Sequence, residues 1–337
     1  MITIEQRIED FAKLGKMLSD KEYVSWLTTE AQMRNGWFTP ENVHLAVQNI
    51  STWLEKEALT AWISPFAATP QKKKIVGTVM AGNIPLVGFH DLLAVLLSGH
   101  TLHAKLSHQD NFLLPQLVTE LIRINPDWES QVMFTEQMKH AEVVIATGSN
   151  NSARYFEYYF RDRPLLLRKN RSSVAVLNGA ESDESLFQLG HDLFSYFGLG
   201  CRNVSKIYFP EGYDLNAVIK NILPFSRILD HHKYANCYTY QRAILLVDQQ
   251  PFTDNGFCVF QESKQISSPV SVIFTETYKH AESLNEILDS RKDEIQCVVS
   301  EMEELPRTVG FGKTQSPGLT DYADNLNTLE FLSKLKE

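Results

Sequence analysis

The sequence is poor in cysteine, and its N-terminal stretch does not resemble an export signal. Only four cysteines occur among its 337 residues, namely Cys201, Cys237, Cys258 and Cys297, and no two of them form a CxxC pair. This spacing argues against a disulfide framework and a structural zinc site. The N-terminal stretch carries acidic residues where a signal peptide would be apolar. We therefore expect reduced thiols and a cytoplasmic protein.

Long apolar runs and an excess of positive charge are also missing. The longest apolar stretch, IPLVGFHDLLAVLLSGHTLHA, is interrupted by His90, Asp91 and His100, which are costly at the centre of a bilayer. The formal net charge is -9 at pH 7, whereas nucleic acid binding needs clustered positive charge. We expect no membrane span and no nucleic acid partner.

Common nucleotide and metal signatures are absent as well. The run GFGKT resembles the end of a phosphate loop, but Arg307 stands where GxxxxGK[ST] requires its first glycine. No G-x-G-x-x-G follows an expected strand. The adjacent residues His231 and His232 lack a third ligand at helical spacing, so we expect no metal site.

Length and patterning predict an α/β protein with two domains. A chain of 337 residues exceeds the size at which one hydrophobic core stops growing, so two domains sharing a cleft are expected. Residues 1 to about 65 show helical periodicity, with caps at Ser19-Asp20 and Thr39-Pro40. Beyond them, short apolar runs alternate with helices, which indicates a mostly parallel sheet. We assign residues 1–177, 178–306 and 307–337 to a helical lead-in plus first domain, a second α/β domain and a C-terminal tail.

The alternation is visible in the order of the apolar runs. In the first domain they are KIVGTVMA, LVGFHDLLAVLLSG, HTLHAKLS, NFLLPQLVTELIRI and AEVVIATGS. In the second domain they are SSVAVLNG, ESLFQLGHDLFSYFGLG, SKIYFPEG, AVIKNILPF, AILLVDQ, SPVSVIFTET and EIQCVVS.

Four short motifs carry chemistry. Asn83, in the GNIP turn after a strand, is either an oxyanion donor or a helix cap. Lys105 closes a strand and is either a ligand of ribose or phosphate or a solvated lysine. Gly148-Ser149 opens a helix, where free N–H groups form either an anion site or an ordinary N-cap. Cys201 lies in the glycine-rich turn FGLGCRN, where a carbonyl carbon can approach a thiolate.

The order and spacing of these motifs resemble the aldehyde dehydrogenase superfamily, and in particular its LuxC-like acyl-CoA reductases. The resemblance runs from about residue 75 to the end of the chain. It implies that Cys201 is the nucleophile and that Asn83 is an oxyanion donor. It also implies that Lys105 and Ser107 hold the adenosine ribose of the cofactor, with Gly148 and Ser149 at its pyrophosphate.

Two departures from the wider superfamily matter for the expected reaction. Leu167 stands nearest the place of the glutamate base that lets dehydrogenases hydrolyse their acyl-enzyme. The glutamate that grips the nicotinamide ribose is replaced near Gln265. Without a base that activates water, an acyl-enzyme survives until hydride arrives.

The resemblance thus implies a reductase that converts an acyl thioester to an aldehyde with NADPH or NADH. A reductase of acyl phosphates, an aldehyde dehydrogenase and a scaffold without catalysis remain as alternatives. The expected partners are a small acyl thioester and either a second copy in a homodimer or an acyl-transfer protein.

Overall fold

The computed structural model describes residues 2–66, 72–305 and 308–335, apart from the side chain of Asn150. The chain divides into two compact units. The first comprises residues 1–170 together with 318–337, and the second comprises residues 171–317. Each unit is built on its own β-sheet.

The first unit contains eight α-helices and five strands among its described residues. Its helices are α1 (Ile4–Met17), α2 (Lys21–Arg34), α3 (Pro40–Trp53), α4 (Lys56–Ile63), α5 (Phe89–Leu97), α6 (Leu113–Ile124), α7 (Asn150–Tyr159) and, near the C-terminus, α12 (Thr328–Ser333). Its strands are β1 (Ile75–Val79), β2 (Thr101–Lys105), β3 (Val132–Phe134), β4 (Val143–Thr147) and β5 (Leu165–Arg168).

The second unit contains the remaining α-helices and strands of the described chain. Its helices are α8 (Asp183–Phe194), α9 (Leu215–Ile222), α10 (His232–Val247) and α11 (Ala281–Ser290). Its strands are β6 (Ser172–Val176), β7 (Val204–Pro210), β8 (Thr253–Asp254), β9 (Val259–Glu262), β10 (Val272–Tyr278), β11 (Ile295–Val299) and β12 (Thr308–Val309). Longer 3-10 segments occupy Ser195–Gly198 and Leu223–Asp230.

The predicted helix caps at the start of the chain are confirmed. Asp20 caps α2 by accepting hydrogen bonds from the backbone N–H groups of Glu22 and Tyr23. Thr39 caps α3 by accepting from the N–H of Asn42, and Pro40 occupies the first helical position. Each cap satisfies N–H groups that the helix leaves without an internal partner.

The first sheet is parallel throughout, in the order β3-β2-β1-β4-β5. The chain moves outward from β1 to β3 and then returns to the other side of β1 with β4. This strand order corresponds to five of the six strands of the doubly wound order 3-2-1-4-5-6, in which ligands bind outside the carboxyl ends of the strands where the order reverses. The core beneath the sheet is dominated by α5, whose residues Phe89 and Leu92–Leu97 are at most 1% exposed.

The second sheet follows the order β12-β11-β6-β7-β10-β9-β8. Its ladders are parallel except at the edge, where β8 pairs antiparallel with β9. One hydrophobic core includes apolar residues of α8 and α9, and another includes those of α11. Helices on both faces are typical of a parallel sheet, whose strands are apolar on both sides.

The C-terminal segment belongs to the first unit. His90 Nε2 lies 2.9 Å from the carbonyl oxygen of Leu319, and Trp62 Nε1 donates to Tyr322 Oη at 2.8 Å. The unit boundary lies at Asn170, before β6 rather than after it at residue 177. The tail assigned from residue 307 therefore divides at residue 318, and the boundary predicted at residues 306 and 307 lies outside the described residues.

No helix in the described part of the chain is both long enough and apolar enough to span a bilayer.

Candidate functional site

The motif residues of the first unit lie together at the carboxyl edge of its sheet. Asn83 follows β1, Lys105 ends β2, Ser107 follows it, and Gly148-Ser149 follow β4. Since these strands are parallel neighbours, their carboxyl ends meet at one edge. Ligands of such sheets bind there, at the switch between β1 and β4.

The turn that carries Asn83 is fixed by a buried carboxylate that the sequence analysis did not single out. Asp110 Oδ2 accepts the backbone N–H of Leu86 at 2.8 Å, and its Oδ1 accepts the N–H of Leu113 at 3.3 Å. Leu86 has a φ of 57°, an unfavourable conformation for a leucine. Asn83 itself is half-buried. Asp110 thus ties the Asn83 turn to the start of α6.

Burial controls the ionisation of Asp110. Loss of hydration raises the pKa of Asp110 from 3.8 to about 6, although hydrogen bonds from the backbone of Leu86, Leu113 and Phe112 oppose the rise. The carboxyl group that holds the Asn83 turn through Leu86 therefore has a pKa above that of an exposed aspartate.

Lys105 and Ser107 line one cavity of about 400 Å³. Its walls also include His108, Thr135 and Glu136, from the loops after β2 and β3. The Lys105 ammonium donates to the carbonyl oxygen of Glu136 at 3.2 Å and lies 3.6 Å from its carboxylate. The lysine side chain is 42% exposed, so its charge remains available to a ligand.

At this edge of the sheet, two glycines lie so close to neighbouring residues that a side chain would not fit. A Cβ atom on Gly82 would lie 2.6 Å from Ser107 Cβ. A Cβ atom on Gly148 would lie 2.9 Å from atoms of Ser152 and Phe156. Because real Cβ atoms do not approach so closely, both positions need glycine for the loops to keep this geometry.

Gly148 and Ser149 lead into α7 as expected. Ser149 is the N-cap of the helix, and its hydroxyl accepts the N–H of Ser152 at 3.2 Å. The capping role that was left open for this motif is therefore present. The N-terminus of α7 still offers the positive end of a helix dipole at the switch point, so the two readings are compatible.

These features fit a dinucleotide. The strand order, the cavity at Lys105 and Ser107, and a helix N-terminus after a close-packed glycine match what an adenosine ribose and a pyrophosphate require. Lys105 and Ser107 would hold the ribose, and the Gly148-Ser149 turn would face the pyrophosphate.

Cys201 lies in the second unit, in a turn between α8 and β7, and it is half-buried. Asn203, 2% exposed, organises this turn. Its Oδ1 accepts the N–H of Gly200 at 2.9 Å, while its Nδ2 donates to the carbonyl oxygens of Asp192 and Ser195 at 3.1 and 2.8 Å. The residue before Cys201 is thereby tied to the end of α8.

Left-handed residues redirect the chain just before the cysteine. Tyr196, Phe197 and Gly198 have φ values of 52°, 57° and 76°. Each of the two aromatic residues costs about 1–2 kcal/mol in this conformation, so the surrounding packing must compensate. Both are buried, and strain of this kind is typical of functional turns.

Buried groups also support the backbone of Cys201. The Ser173 hydroxyl, which is fully buried, donates to the Cys201 carbonyl oxygen at 3.3 Å and lies 2.9 Å from Cys297 Sγ. Cys258 and Cys297 are buried, and burial raises the pKa of the Cys258 thiol. Neither of these two thiols is accessible in the way a nucleophile requires.

The two positions at which the sequence departs from the wider superfamily, Leu167 and Gln265, lie on different elements. Leu167 is on β5 and half-buried, whereas Gln265 is exposed in the loop between β9 and β10. His231 caps α10, its Nδ1 accepting the N–H of Tyr234 at 3.4 Å. Within the described ranges, no group of three or more His, Cys, Asp or Glu side chains is arranged to hold a metal ion.

Asp110, Asn203 and Ser173, the polar residues that fix the two turns, carry no signal in the sequence. The buried Asp192 on α8 was not singled out either. One signal was available for Asp192 in LFQLGHDLF, where it occupies a core-facing position of an amphipathic helix. Its exposure is 0%. A charged residue at such a position needs dedicated partners and so marks a structural or functional role.

Comparison with known sequences supports the resemblance. Residues 65–210, somewhat less than half of the chain, match the family model described as acyl-CoA reductase (LuxC). A long-chain acyl-protein thioester reductase of Aliivibrio fischeri is 24% identical, over 53% of this chain and 41% of the relative. The match thus spans less than half the length of that relative.

Comparison with solved structures shows the fold. An NAD+ complex of an aldehyde dehydrogenase from Bacillus cereus superposes with a TM-score of 0.64 at 12% identity, covering 90% of this chain and 73% of that one. An NAD-dependent aldehyde dehydrogenase from Sinorhizobium meliloti gives 0.67 at 12% identity, covering 90% and 71%. The predicted aldehyde-dehydrogenase-like α/β fold is confirmed.

Proposed function

The chain is similar to the LuxC acyl-CoA reductases and has the fold of the aldehyde dehydrogenases, and from this premise we propose that it reduces a fatty acyl thioester to an aldehyde with NADPH or NADH. The observation that carries the proposal is the Cys201 turn. It presents a half-buried cysteine after a glycine that Asn203 holds in place, while Cys258 and Cys297 are buried.

In the first step the Cys201 thiolate attacks the thioester carbonyl carbon. The carbon–sulfur bond to the leaving thiol then breaks, and the thiolate of CoA or of a carrier protein departs and takes a proton from solvent. The product is an acyl group on Cys201, held by a new thioester bond. This step needs a thiol that is accessible and ionised.

Charge that develops on the carbonyl oxygen needs donors. We assign this role to the side-chain amide of Asn83 and the backbone N–H of Cys201. Preorganised donors of this kind are among the largest contributions to acyl-transfer catalysis. Support comes from the two buried residues, Asp110 and Asn203, that fix the turns carrying the proposed donors.

The acyl group on Cys201 then needs a hydride donor. When bound, NADPH or NADH supplies the hydride that reduces the acyl carbon. The bond between the acyl carbon and the Cys201 sulfur then breaks, which restores the thiolate and releases the aldehyde. The residues assigned to hold the cofactor are Lys105, Ser107, Gly148 and Ser149, whose geometry fits a ribose and a pyrophosphate.

Leu167 supports reduction rather than hydrolysis. A leucine cannot activate water, so an acyl-enzyme on Cys201 would persist until the hydride arrives. The name of the Aliivibrio fischeri relative, a long-chain acyl-protein thioester reductase, agrees with a fatty acyl thioester substrate. We therefore propose that the protein catalyses the reaction in the direction of reduction, with either acyl-CoA or an acylated transfer protein as the donor of the acyl group.

An activity assay separates this proposal from its alternatives. A fatty acyl-CoA, an acyl phosphate and a fatty aldehyde are compared side by side, each with NADPH, NADH or their oxidised forms, by following nicotinamide absorbance. We expect oxidation of NADPH or NADH with acyl-CoA, and its loss in Cys201→Ala. Faster turnover with acyl phosphate or aldehyde would contradict the thioester proposal and favour the corresponding alternative.

A scaffold without catalysis is tested by thiol reactivity. A catalytic Cys201 should be alkylated much faster than Cys237, Cys258 and Cys297 near neutral pH. Equal labelling of all four thiols, with no turnover of any substrate, would favour the scaffold. Size measurements in solution would test the homodimer that the resemblance suggests.

A further inference from the structure

Asp192 is a buried carboxylate on α8 that the proposed reaction does not use. Its exposure is 0%. Its Oδ1 accepts the backbone N–H of Thr314 at 3.0 Å and the Thr314 hydroxyl at 2.7 Å, and its Oδ2 accepts the N–H of Gly312 at 2.7 Å. Three donors on one short segment therefore meet a single carboxylate.

That segment is the GFGKT run, which resembles a phosphate loop but lacks its first glycine. Gly312 has a φ of 76°, and a Cβ atom there would lie 2.5 Å from Gln188 Oε1 on α8. Thr314 is fully buried. The run is thus packed against α8 and turned inward, and its hydrogen-bond donors serve Asp192 instead of a nucleotide phosphate.

Both neighbours of Cys201 connect to this cluster. On one side, Gly200 donates to Asn203, whose Nδ2 donates to the carbonyl oxygen of Asp192. On the other side, Arg202 Nε donates to the carbonyl oxygen of Thr314 at 2.7 Å. The residues before and after the thiol are therefore linked to Asp192 by two separate routes.

Resting on the proposed function, we propose that Asp192 is a positioning residue for the Cys201 nucleophile, acting through Asn203 on Gly200 and through Thr314 on Arg202. Asp192 does not touch the reacting atoms. By holding the GFGKT run against α8, its carboxylate fixes the Thr314 carbonyl that receives Arg202, and so restrains one end of the turn. The other end is held through Asn203 by the main-chain carbonyl oxygen of Asp192, which a substitution of the side chain leaves in place. Loss of the carboxylate frees one end of the turn and spreads the positions of the Cys201 sulfur.

The carboxylate is suited to this task because neutral acceptors are weaker. Hydrogen bonds to a charged group are shorter and about twice as strong as those between neutral groups. Burial raises the pKa of Asp192, while the donors from Gly312 and Thr314 lower it. The same donors thus both hold the segment and offset the burial of the charge.

Thr314 offers a matched pair of variants. Thr314→Val keeps the shape of the side chain but removes the hydroxyl that donates to Asp192. Thr314→Ser keeps the hydroxyl but removes a buried methyl group. If the hydrogen bond positions Cys201, the valine variant is affected and the serine variant is not, although loss of the buried methyl destabilises the serine variant.

The test combines two measurements on the full chain. The first is amide hydrogen exchange of the residues around Cys201, and the second is the rate at which iodoacetamide alkylates Cys201, followed by peptide mass. The variants are Asp192→Ala, Thr314→Val and Thr314→Ser. Leu284→Val, a buried change on α11, serves as a generally destabilised control, and thermal unfolding reports the stability of each variant.

We expect faster exchange in the Cys201 turn for Asp192→Ala and Thr314→Val only. Alkylation of Cys201 should change on the order of tenfold in Asp192→Ala and less in Thr314→Val, because a displacement of about 1 Å in an active site can change rates a hundredfold. The proposal would be overturned if Thr314→Val exchanged at the wild-type rate in the Cys201 turn. It would also be overturned if Thr314→Ser and Leu284→Val accelerated exchange there as much as Asp192→Ala and Thr314→Val do. Should wild-type Cys201 show no selective alkylation, the proposed function fails, while hydrogen exchange still decides the role of Asp192.

Discussion

Asp110 and Asn203 play the same physical part in the two units. Each is a buried polar residue that accepts backbone N–H groups of a turn carrying a proposed catalytic residue. In both cases the accepting side chain lies within a few residues of the end of a strand or helix. At the scale of the residue, the position of each turn therefore depends on one side chain that does not itself react.

The first prediction concerns the pH dependence of stability through Asp110. Burial raises its pKa to about 6 in the folded chain, so folding favours the protonated form. Its contribution to stability is therefore complete below about pH 4 and is lost as the pH rises through about 6. Since each pKa unit corresponds to about 1.4 kcal/mol, the wild type should lose about 2–3 kcal/mol relative to Asp110→Asn between these limits.

Urea unfolding of both proteins from pH 4 to pH 7 measures this difference. The asparagine variant does not titrate at this position, so it corrects for all other carboxylates. Stability curves of the two proteins that run parallel across the range would contradict the raised pKa.

The second prediction concerns Asn83. Loss of one oxyanion donor costs about 3 kcal/mol of transition-state stabilisation, so Asn83→Ala should lower kcat on the order of a hundredfold. Its effect on KM for acyl-CoA should be small because the donor acts on charge that develops in the transition state. Steady-state kinetics check the split, with cofactor-dependent thermal stability as a control for folding. An unchanged kcat would exclude Asn83 from the oxyanion site.

At the scale of the element, β7 and β10 are joined by an ion pair between a buried lysine and a half-buried glutamate. The Lys206 ammonium is fully buried, pairs with the Glu276 carboxylate and donates to the Ser263 carbonyl oxygen at 2.8 Å. It also lies 4.7 Å from the centre of the Tyr208 ring. Lys206 on β7 thus links this strand to β10 and to the loop after β9.

The third prediction tests this pair. Glu276→Ala leaves the Lys206 ammonium buried without its carboxylate, and loss of one partner of a buried pair costs about 3 kcal/mol or more. Adding Lys206→Met should recover most of the lost stability, because a methionine needs no partner. Urea denaturation of both single variants and the double variant measures the coupling. Additive effects would show that the pair contributes nothing across the two strands.

The elements were predictable where local signals are strong. The caps at Asp20 and Thr39 follow from residues whose side chains satisfy helix N-termini, and the structure confirms both. The run AILLVDQ was placed in the alternation without being assigned to a strand or a helix, and it ends α10. A short apolar run has no periodicity that separates strand from buried helix, and the two-residue strand β8 has too few residues to show any pattern.

At the scale of the whole molecule, contacts between distant segments decided the division into units. The C-terminal segment joins the first unit through residues such as Thr328, whose hydroxyl accepts a hydrogen bond from Arg168 at 2.7 Å. Arg168 in turn pairs with Asp91 at 2.7 Å. Nothing in the local sequence near Thr328 signals these partners, because they arise from residues far apart in the chain.

The motif residues of the candidate site were predictable from the sequence, whereas the residues that support them were not. The motifs at Asn83, Lys105, Ser107 and Gly148-Ser149 lie at one sheet edge because they follow parallel strands, a regularity that sequence order conveys. The supporting residues, such as Asp192 and Thr314, come from segments more than a hundred residues apart and are brought together only by folding.

The most direct test is the intact mass of the protein after incubation with a fatty acyl-CoA in the absence of cofactor. We predict a mass increase equal to one acyl group, located on Cys201 by peptide mapping, absent from Cys201→Ala and reversed on addition of NADPH or NADH with release of aldehyde. An acyl group on Cys201→Ala, or no acyl group on the wild type while it reduces acyl-CoA, would contradict the assignment of Cys201 as the nucleophile.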